Sequence, residues 1–301
     1  MPLAGTGAIV TPAADAAHGV GAFNVIQLEH AQAIVAGAEA AGAPVILQLS
    51  ENAVRYHGAL APIASAVLAT ARTASVPVAV HLDHATSADL VAEAVELGFS
   101  SVMFDASVLP YEENVRATAE VVARCHAAGV WVEAELGEVG GKDGVHAPGA
   151  RTDPSEAAAY VAATGLDALA VAVGTSHAML TRDAVLDFDL ITALREAVPV
   201  PLVLHGSSGV ADEHLTRAVE HGMTKVNIAT HLNQVFTGAV RRTLDDDPSL
   251  VDTRRYLGSG RTAMAAEVTR LLGVLKAPTV RRWCDARRSG GTLSVGPGDQ
   301  P

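Results

Sequence analysis

Eight times along the chain a short, continuous run of apolar, β-forming residues is followed by a longer Ala-rich stretch of helical character. The runs read as strands near 21–26, 44–49, 77–82, 99–104, 130–135, 167–173, 200–204 and 223–228. The stretches between them read as helices near 28–41, 60–74, 87–97, 111–128, 154–164, 187–197, 211–221 and 231–244. Strands that are apolar throughout, rather than alternating, need cover on both faces, which is the condition of a parallel sheet. Gly42, Gly98, Gly129, Gly165 and Gly222 each stand between a helical stretch and the next strand, where a helix C-terminus favours glycine. Eight βα units point to a closed (β/α)₈ TIM barrel. A doubly wound dinucleotide fold is disfavoured, because no Gly-x-Gly-x-x-Gly follows the first strand. An additional C-terminal helix is expected near 261–276. Residues 1–288 are expected to form one barrel domain, and the Gly/Pro/Ser-rich residues 289–301 a disordered tail.

The charge balance limits the partners. A net charge of −12 with only three lysines argues against a nucleic-acid partner, which needs clustered basic residues. No apolar run is long enough for a membrane span, and no secretory signal opens the chain. Two distant cysteines, Cys125 and Cys284, suggest no disulfide framework, so a reducing, cytoplasmic location is expected.

In a barrel the chemistry belongs at the C-terminal ends of the strands. There the sequence places Asn24, Ser50, Asp83-His84, Asp105, Glu133-Ala134-Glu135, Gly174 to His177, His205 to Gly209, and Asn227 to Thr230. Every strand thus delivers a polar residue to one rim, while the opposite ends show no such enrichment. His84, His177 and His205 follow strands three, six and seven, and three imidazoles with an open fourth position suit a catalytic zinc ion. Asp105 and Glu135 could take the metal in a second position, orient a ligand histidine or bind another cation. Glu133 and Glu135 share a strand face, so their carboxylates repel unless a cation or a proton lies between them. His81 reads as a hydrogen-bonded histidine of the barrel interior. Gly206-Ser207-Ser208-Gly209 offers backbone N–H groups and two hydroxyls, and Asn227 to Thr230 leads into a helix N-terminus. The loops after strands seven and eight are the usual phosphate site of such barrels.

At these residues the chain resembles class II fructose-bisphosphate aldolases, in particular the branch that contains tagatose-bisphosphate aldolases. The matching segments include Ala22-Phe23-Asn24-Val25, Leu82-Asp83-His84, Val102 to Ser107, Val132 to Gly137, Gly174 to His177, Leu204 to Gly209 and Lys225 to Thr230, and the likeness spans about residues 5–275. The resemblance implies reversible cleavage of a ketose 1,6-bisphosphate, fructose or tagatose, to dihydroxyacetone phosphate and glyceraldehyde 3-phosphate. His84, His177 and His205 then resemble the ligands of Zn²⁺, and Asp105 and Glu135 those of an alternate metal position. Asp83 resembles the residue that transfers the C4 hydroxyl proton. Asn227 is placed to hydrogen-bond the enediolate that zinc stabilises. Ser50 matches a contact to the aldehyde half. Asn24, Ala178, Gly206, Ser207, Ser208, Asn227, Ile228, Ala229 and Thr230 match substrate-binding positions. The resemblance also implies a monovalent cation (Na⁺ or K⁺) near the phosphate and a homodimer or homotetramer.

The chain departs from the pattern at 138–146, where the loop is shortened and Lys142-Asp143 replaces the usual Glu-Asp pair. Ala178 replaces a usual glycine, and His231 stands where an acidic residue is common. These changes leave room for a different ketose phosphate, or for an aldolase-like protein that binds sugar phosphate without turnover. A Schiff-base aldolase would need a rim lysine, and Lys225, the one candidate, reads as lying deeper or pairing with a carboxylate.

Overall fold

The fold is that of a computed structural model, which describes residues 3–136, 151–176 and 179–280. Eight parallel strands pair in sequence order, β1 (Val20–Asn24), β2 (Val45–Ser50), β3 (Val78–Ala85), β4 (Ser101–Phe104), β5 (Trp131–Glu135), β6 (Ala168–Ala170), β7 (Leu202–Leu204) and β8 (Met223–Ile228). The pairing of β1 with β8 closes the barrel. The eight-unit rhythm is therefore the barrel expected from the sequence. Some expected strands are shorter: of 167–173 only Ala168–Ala170 joins the ladder, of 99–104 only Ser101–Phe104, and of 200–204 only Leu202–Leu204.

The helices fall as the periodicity predicts, with α2 (Leu28–Ala41), α4 (Leu60–Thr73), α5 (Ala88–Leu97), α6 (Tyr111–Ala127), α7 (Pro154–Thr164), α8 (Phe188–Ala197), α9 (Asp212–His221) and α10 (Thr230–Asp246) following β1 to β8 in turn. Three features were not expected. Helix α1 (Thr6–Asp15) precedes the barrel, and α3 (Glu51–His57) is capped by the Ser50 hydroxyl, which accepts from Ala53 N at 3.2 Å. The last helix, α11 (Thr253–Val274), begins eight residues before the expected 261. The domain end at 288 and the tail 289–301 lie outside the described residues.

The core has three parts, of which the smallest joins Met103, Ala168, Ala170 and Val203. The largest lies between the strands and the helical shell. A smaller one fills the N-terminal end of the barrel, where Ile9, Val10 and Ala13 of α1 meet Val20, Ala22, Ile46 and Ala79. Thr6 of α1 adds hydrogen bonds to Ser100 and Ser101 at 2.9 and 2.6 Å. Outside the barrel, α11 packs on α2 and α10. Gly37 permits the close approach to α2, because a Cβ there would meet Ala265 O at 2.6 Å. No helix among the described residues is long and apolar enough to cross a membrane.

Candidate active site at the barrel rim

Strand β3 supplies Asp83 and His84. In a regular strand two consecutive side chains point to opposite faces. Here the β3–β4 register shifts between Leu82 and Ala85, and His84 takes a left-handed conformation at φ 52°. A bulge re-aims side chains in this way, and strained backbone of this kind collects at functional sites. As a result Asp83, His84 and His205 gather within 4.8 Å of one another, and His84 also joins Asp105 and Glu135 in a second such group.

The two histidines are held by carboxylates on their far sides. His84 Nδ1 lies 2.9 Å from Asp105 Oδ2. His205 Nε2 lies 2.9 Å from Glu133 Oε1 and 3.0 Å from Asn227 Nδ2. Nε2 can serve only one of these, and an ionised carboxylate is the stronger partner, so it donates to Glu133. Both rings then turn their second nitrogen inward, His84 Nε2 and His205 Nδ1, 2.9 Å apart. Two acceptors face to face need a cation or a proton between them. Two nitrogens of a tetrahedral zinc site stand about 3.3 Å apart, so this pair needs little adjustment to hold the ion. The carboxylate–histidine pairing is also the arrangement that fixes ligand tautomers in metal sites. Burial lowers the pKa of His205, which favours the neutral imidazole.

Glu133 answers the question raised by its nearness to Glu135. The fully buried ammonium of Lys225 lies 2.8 Å from Glu133 Oε2 and also donates to Asn227 Oδ1 at 2.8 Å. Burial alone would raise the Glu133 pKa, but Lys225, His205 and His81 outweigh it and hold it at about 2. Lys225 is thus the paired interior lysine expected from the sequence. His81 is the expected interior histidine, hydrogen-bonded to Ser101 Oγ at 2.8 Å and pushed down to about 3, first by burial and then by Lys225.

Asp83 is buried, and Asn24 Nδ2 donates to its Oδ2 at 3.1 Å, Asn24 being held in turn by Gln48 at 2.7 Å. Its other oxygen, Oδ1, is buried with no hydrogen-bond partner among the described residues. Burial works against the charge, yet His84, His205, Lys225 and His81 bring the pKa below the ordinary carboxylate range. An ionised carboxylate with one oxygen anchored and the other unmatched is prepared to accept a proton or a hydroxyl. Sequence reasoning found Asp83 and Asn24 but missed Gln48 as their support. Its position in register with both Asn24 and His81 is the signal that could have found it.

At the turn after β7, Gly206 adopts φ 65°, and a Cβ there would meet Ser176 O at 2.5 Å, so only glycine fits. One expectation is corrected: the two hydroxyls are not both presented. Ser207 is buried and donates to the carbonyl of Asn227, which ties the turn to β8. Ser208 Oγ accepts from His231 N at 3.2 Å and keeps its own hydrogen to give. Helix α10 starts at Ala229 without a side-chain cap, so N–H groups of its first turn look to other partners. His177, Ala178 and the loop 138–146 lie outside the described residues. Arg254 is exposed and forked on Asp252, and Arg261 bonds Gln32, so neither is directed to this rim by any described contact.

Comparison with known proteins agrees with this arrangement. The sequence matches the family described as "Fructose-bisphosphate aldolase class-II" over residues 5–278. It is 44% identical over 255 residues to a fructose-bisphosphate aldolase of Geobacillus stearothermophilus, covering 83% of this chain and 89% of that one. It is 38% identical over 290 residues to a fructose-bisphosphate aldolase of Giardia intestinalis, covering 88% and 90%. The crystal structure of the YdjI aldolase from Escherichia coli K12 superposes with a TM-score of 0.81 at 32% identity, covering 91% of this chain and 98% of that one. With nearly its whole described length matched, the chain belongs to the class-II fructose-bisphosphate aldolase family of metal-dependent lyases.

Proposed function

We propose that this protein cleaves a ketose 1,6-bisphosphate reversibly to dihydroxyacetone phosphate and glyceraldehyde 3-phosphate, with fructose 1,6-bisphosphate as the first substrate to test. The observation that carries this reading is the facing pair of nitrogens on His84 and His205, 2.9 Å apart, beside the anchored carboxylate of Asp83. His84 and His205, with His177 by the family resemblance, would hold a zinc ion. When bound, zinc supplies Lewis acidity that stabilises the enediolate charge left when the C3–C4 bond breaks.

This chain's own residues do the rest. Asp83 takes the C4 hydroxyl proton in cleavage and returns it in condensation. Asn24 and Gln48 hold its carboxylate in place. Lys225 holds Asn227 by Oδ1, which leaves the amide nitrogen to donate to the substrate. Gly206 to Ser208 and the segment from Asn227 to Thr230, where β8 leads into α10, bind the phosphate of the dihydroxyacetone half, which fixes the reacting atoms in register. A Na⁺ or K⁺ ion belongs beside that phosphate, and Ser50 and the rim of β2 face the aldehyde half. Asp105 and Glu135, with His84, form the alternate metal position. The working form is a cytoplasmic homodimer or homotetramer.

The test is a cleavage assay across fructose 1,6-bisphosphate, tagatose 1,6-bisphosphate and other ketose phosphates, with the protein zinc-loaded and chelator-stripped. Zinc-dependent release of dihydroxyacetone phosphate supports the reading. Saturable binding with no product from any ketose phosphate contradicts it and favours a binding protein. Trapping of a borohydride-stable adduct on Lys225 also contradicts it.

A further inference from the structure

Both walls of the proposed phosphate site are tied to one helix outside the barrel. On one side, His231, in the first turn of α10, gives its backbone N–H to Ser208 Oγ, and its ring Nε2 lies 2.6 Å from Glu267 Oε1 on α11. On the other side, Arg182 donates to the carbonyl of Val210, where the 206–209 turn ends, at 2.9 and 2.6 Å. Arg182 also pairs with Asp212 at 2.5 Å. Arg270, on α11, joins the two sides by bonding both Asp212 and Glu267. The chain therefore runs from Ser208 through His231, Glu267, Arg270, Asp212 and Arg182 back to Val210.

The links are unequal. Arg270 and Asp212 are well exposed, with 41% and 37% of their side chains accessible, and exposed pairs contribute little. His231 and Glu267 are 18% and 16% accessible, so their contact is the stronger one. Burial would raise the Glu267 pKa, but Arg270 and His231 bring it below the ordinary range, so the carboxylate stays ionised. The His231 ring is engaged by Glu267 on α11. Its backbone N–H is the part that meets the site.

We propose that Glu267 is a positioning residue for substrate phosphate: by holding His231 it sets the start of α10 against Ser208, and so controls phosphate affinity without entering the chemistry. This rests on the reading of the 206–208 turn and the start of α10 as a phosphate site. Only differential binding to the transition state changes kcat, whereas uniform binding of the phosphate appears in KM. Loosening this wall therefore raises KM and leaves kcat in place.

The experiment uses the zinc-loaded enzyme with fructose 1,6-bisphosphate, and inorganic phosphate as a competitive inhibitor. Wild type, Glu267→Ala, Glu267→Gln and His231→Asn are compared, with thermal unfolding as a check on folding. In Glu267→Ala, KM and the phosphate Ki are expected to rise together about tenfold, corresponding to about 1.4 kcal/mol, with kcat within about twofold. Glu267→Gln keeps an oxygen for the His231 ring and is expected to recover part of the loss. If Glu267→Ala does not fold, His231→Asn carries the test, since it removes the same bond and leaves Arg270 paired. Phosphate competition in the wild type, with KM and Ki unchanged in every folded variant, overturns the positioning role alone. A fall in kcat with KM unchanged overturns it too. Absence of phosphate competition in the wild type overturns the phosphate-site reading, and the positioning role with it.

Discussion

Glu133 touches His205 with one oxygen and Lys225 with the other, so a single buried carboxylate orients the His205 ring and balances a buried ammonium. Glu133→Gln is expected to weaken zinc binding about 10–100-fold, as loss of such outer partners does, measured by competition with a chelating dye. It also leaves Lys225 without its counter-charge, and should cost the metal-free protein about 3–5 kcal/mol in urea unfolding. His30, buried on α2, gives a pH prediction. Burial lowers its folded pKa from 6.5 to about 4. The unfolded chain therefore binds a proton below pH 6.5 that the folded chain refuses until about pH 4. Stability present above pH 6.5 is lost as pH falls toward 4, by about 1.4 kcal/mol per unit. In His30→Leu that slope should lessen by about the same amount, read from urea unfolding at a series of pH values. At this scale the sequence named the right residue types but not their conformations. Asp83 and His84 were legible as a polar pair at a strand end. The bulge that points both inward was not, because local sequence does not announce a register shift. Ser207 was read as presented, whereas its hydroxyl turns inward to β8.

Among the elements, α1 does what no barrel strand can do, sealing the N-terminal end with Ile9, Val10 and Ala13. Ile9→Ala is expected to cost about 2–5 kcal/mol in denaturant unfolding. Its kcat should match the wild type at temperatures where both are folded, because α1 lies at the end of the barrel away from the rim. This helix was missed in the sequence because it carries Pro12 in its interior, ordinarily a breaker. The early part of α11 was missed for a similar reason. Gly258 and Gly260 depress helix propensity there, yet Gly260 is what admits Phe236, 2.8 Å from the position of an added Cβ. The eight principal helices were legible because each combines an apolar stripe with the spacing between strands, and most end in glycine.

The whole molecule explains why the site could be located before its geometry was known. A closed parallel barrel carries every strand's C-terminal end to one rim, so residues as far apart as Ala22 and Asn227 become partners through the β1–β8 pairing. Strands β3 and β7 stand opposite each other in the closed order, so His84 and His205 meet across the mouth of the barrel. What the fold rule could not supply was the support beneath them: the Lys225–Glu133 pair, the Gln48–Asn24–Asp83 relay and the ties to α11. These depend on side-chain contacts across strands and helices distant in sequence. The account stands on Asp83 as the proton-transfer group beside a metal held by His84 and His205. The most direct measurement is kcat for fructose 1,6-bisphosphate cleavage by zinc-loaded Asp83→Ala against wild type, with bound zinc counted in both. The account predicts a loss of about 10²–10⁴-fold with zinc content unchanged; full activity in Asp83→Ala would contradict it.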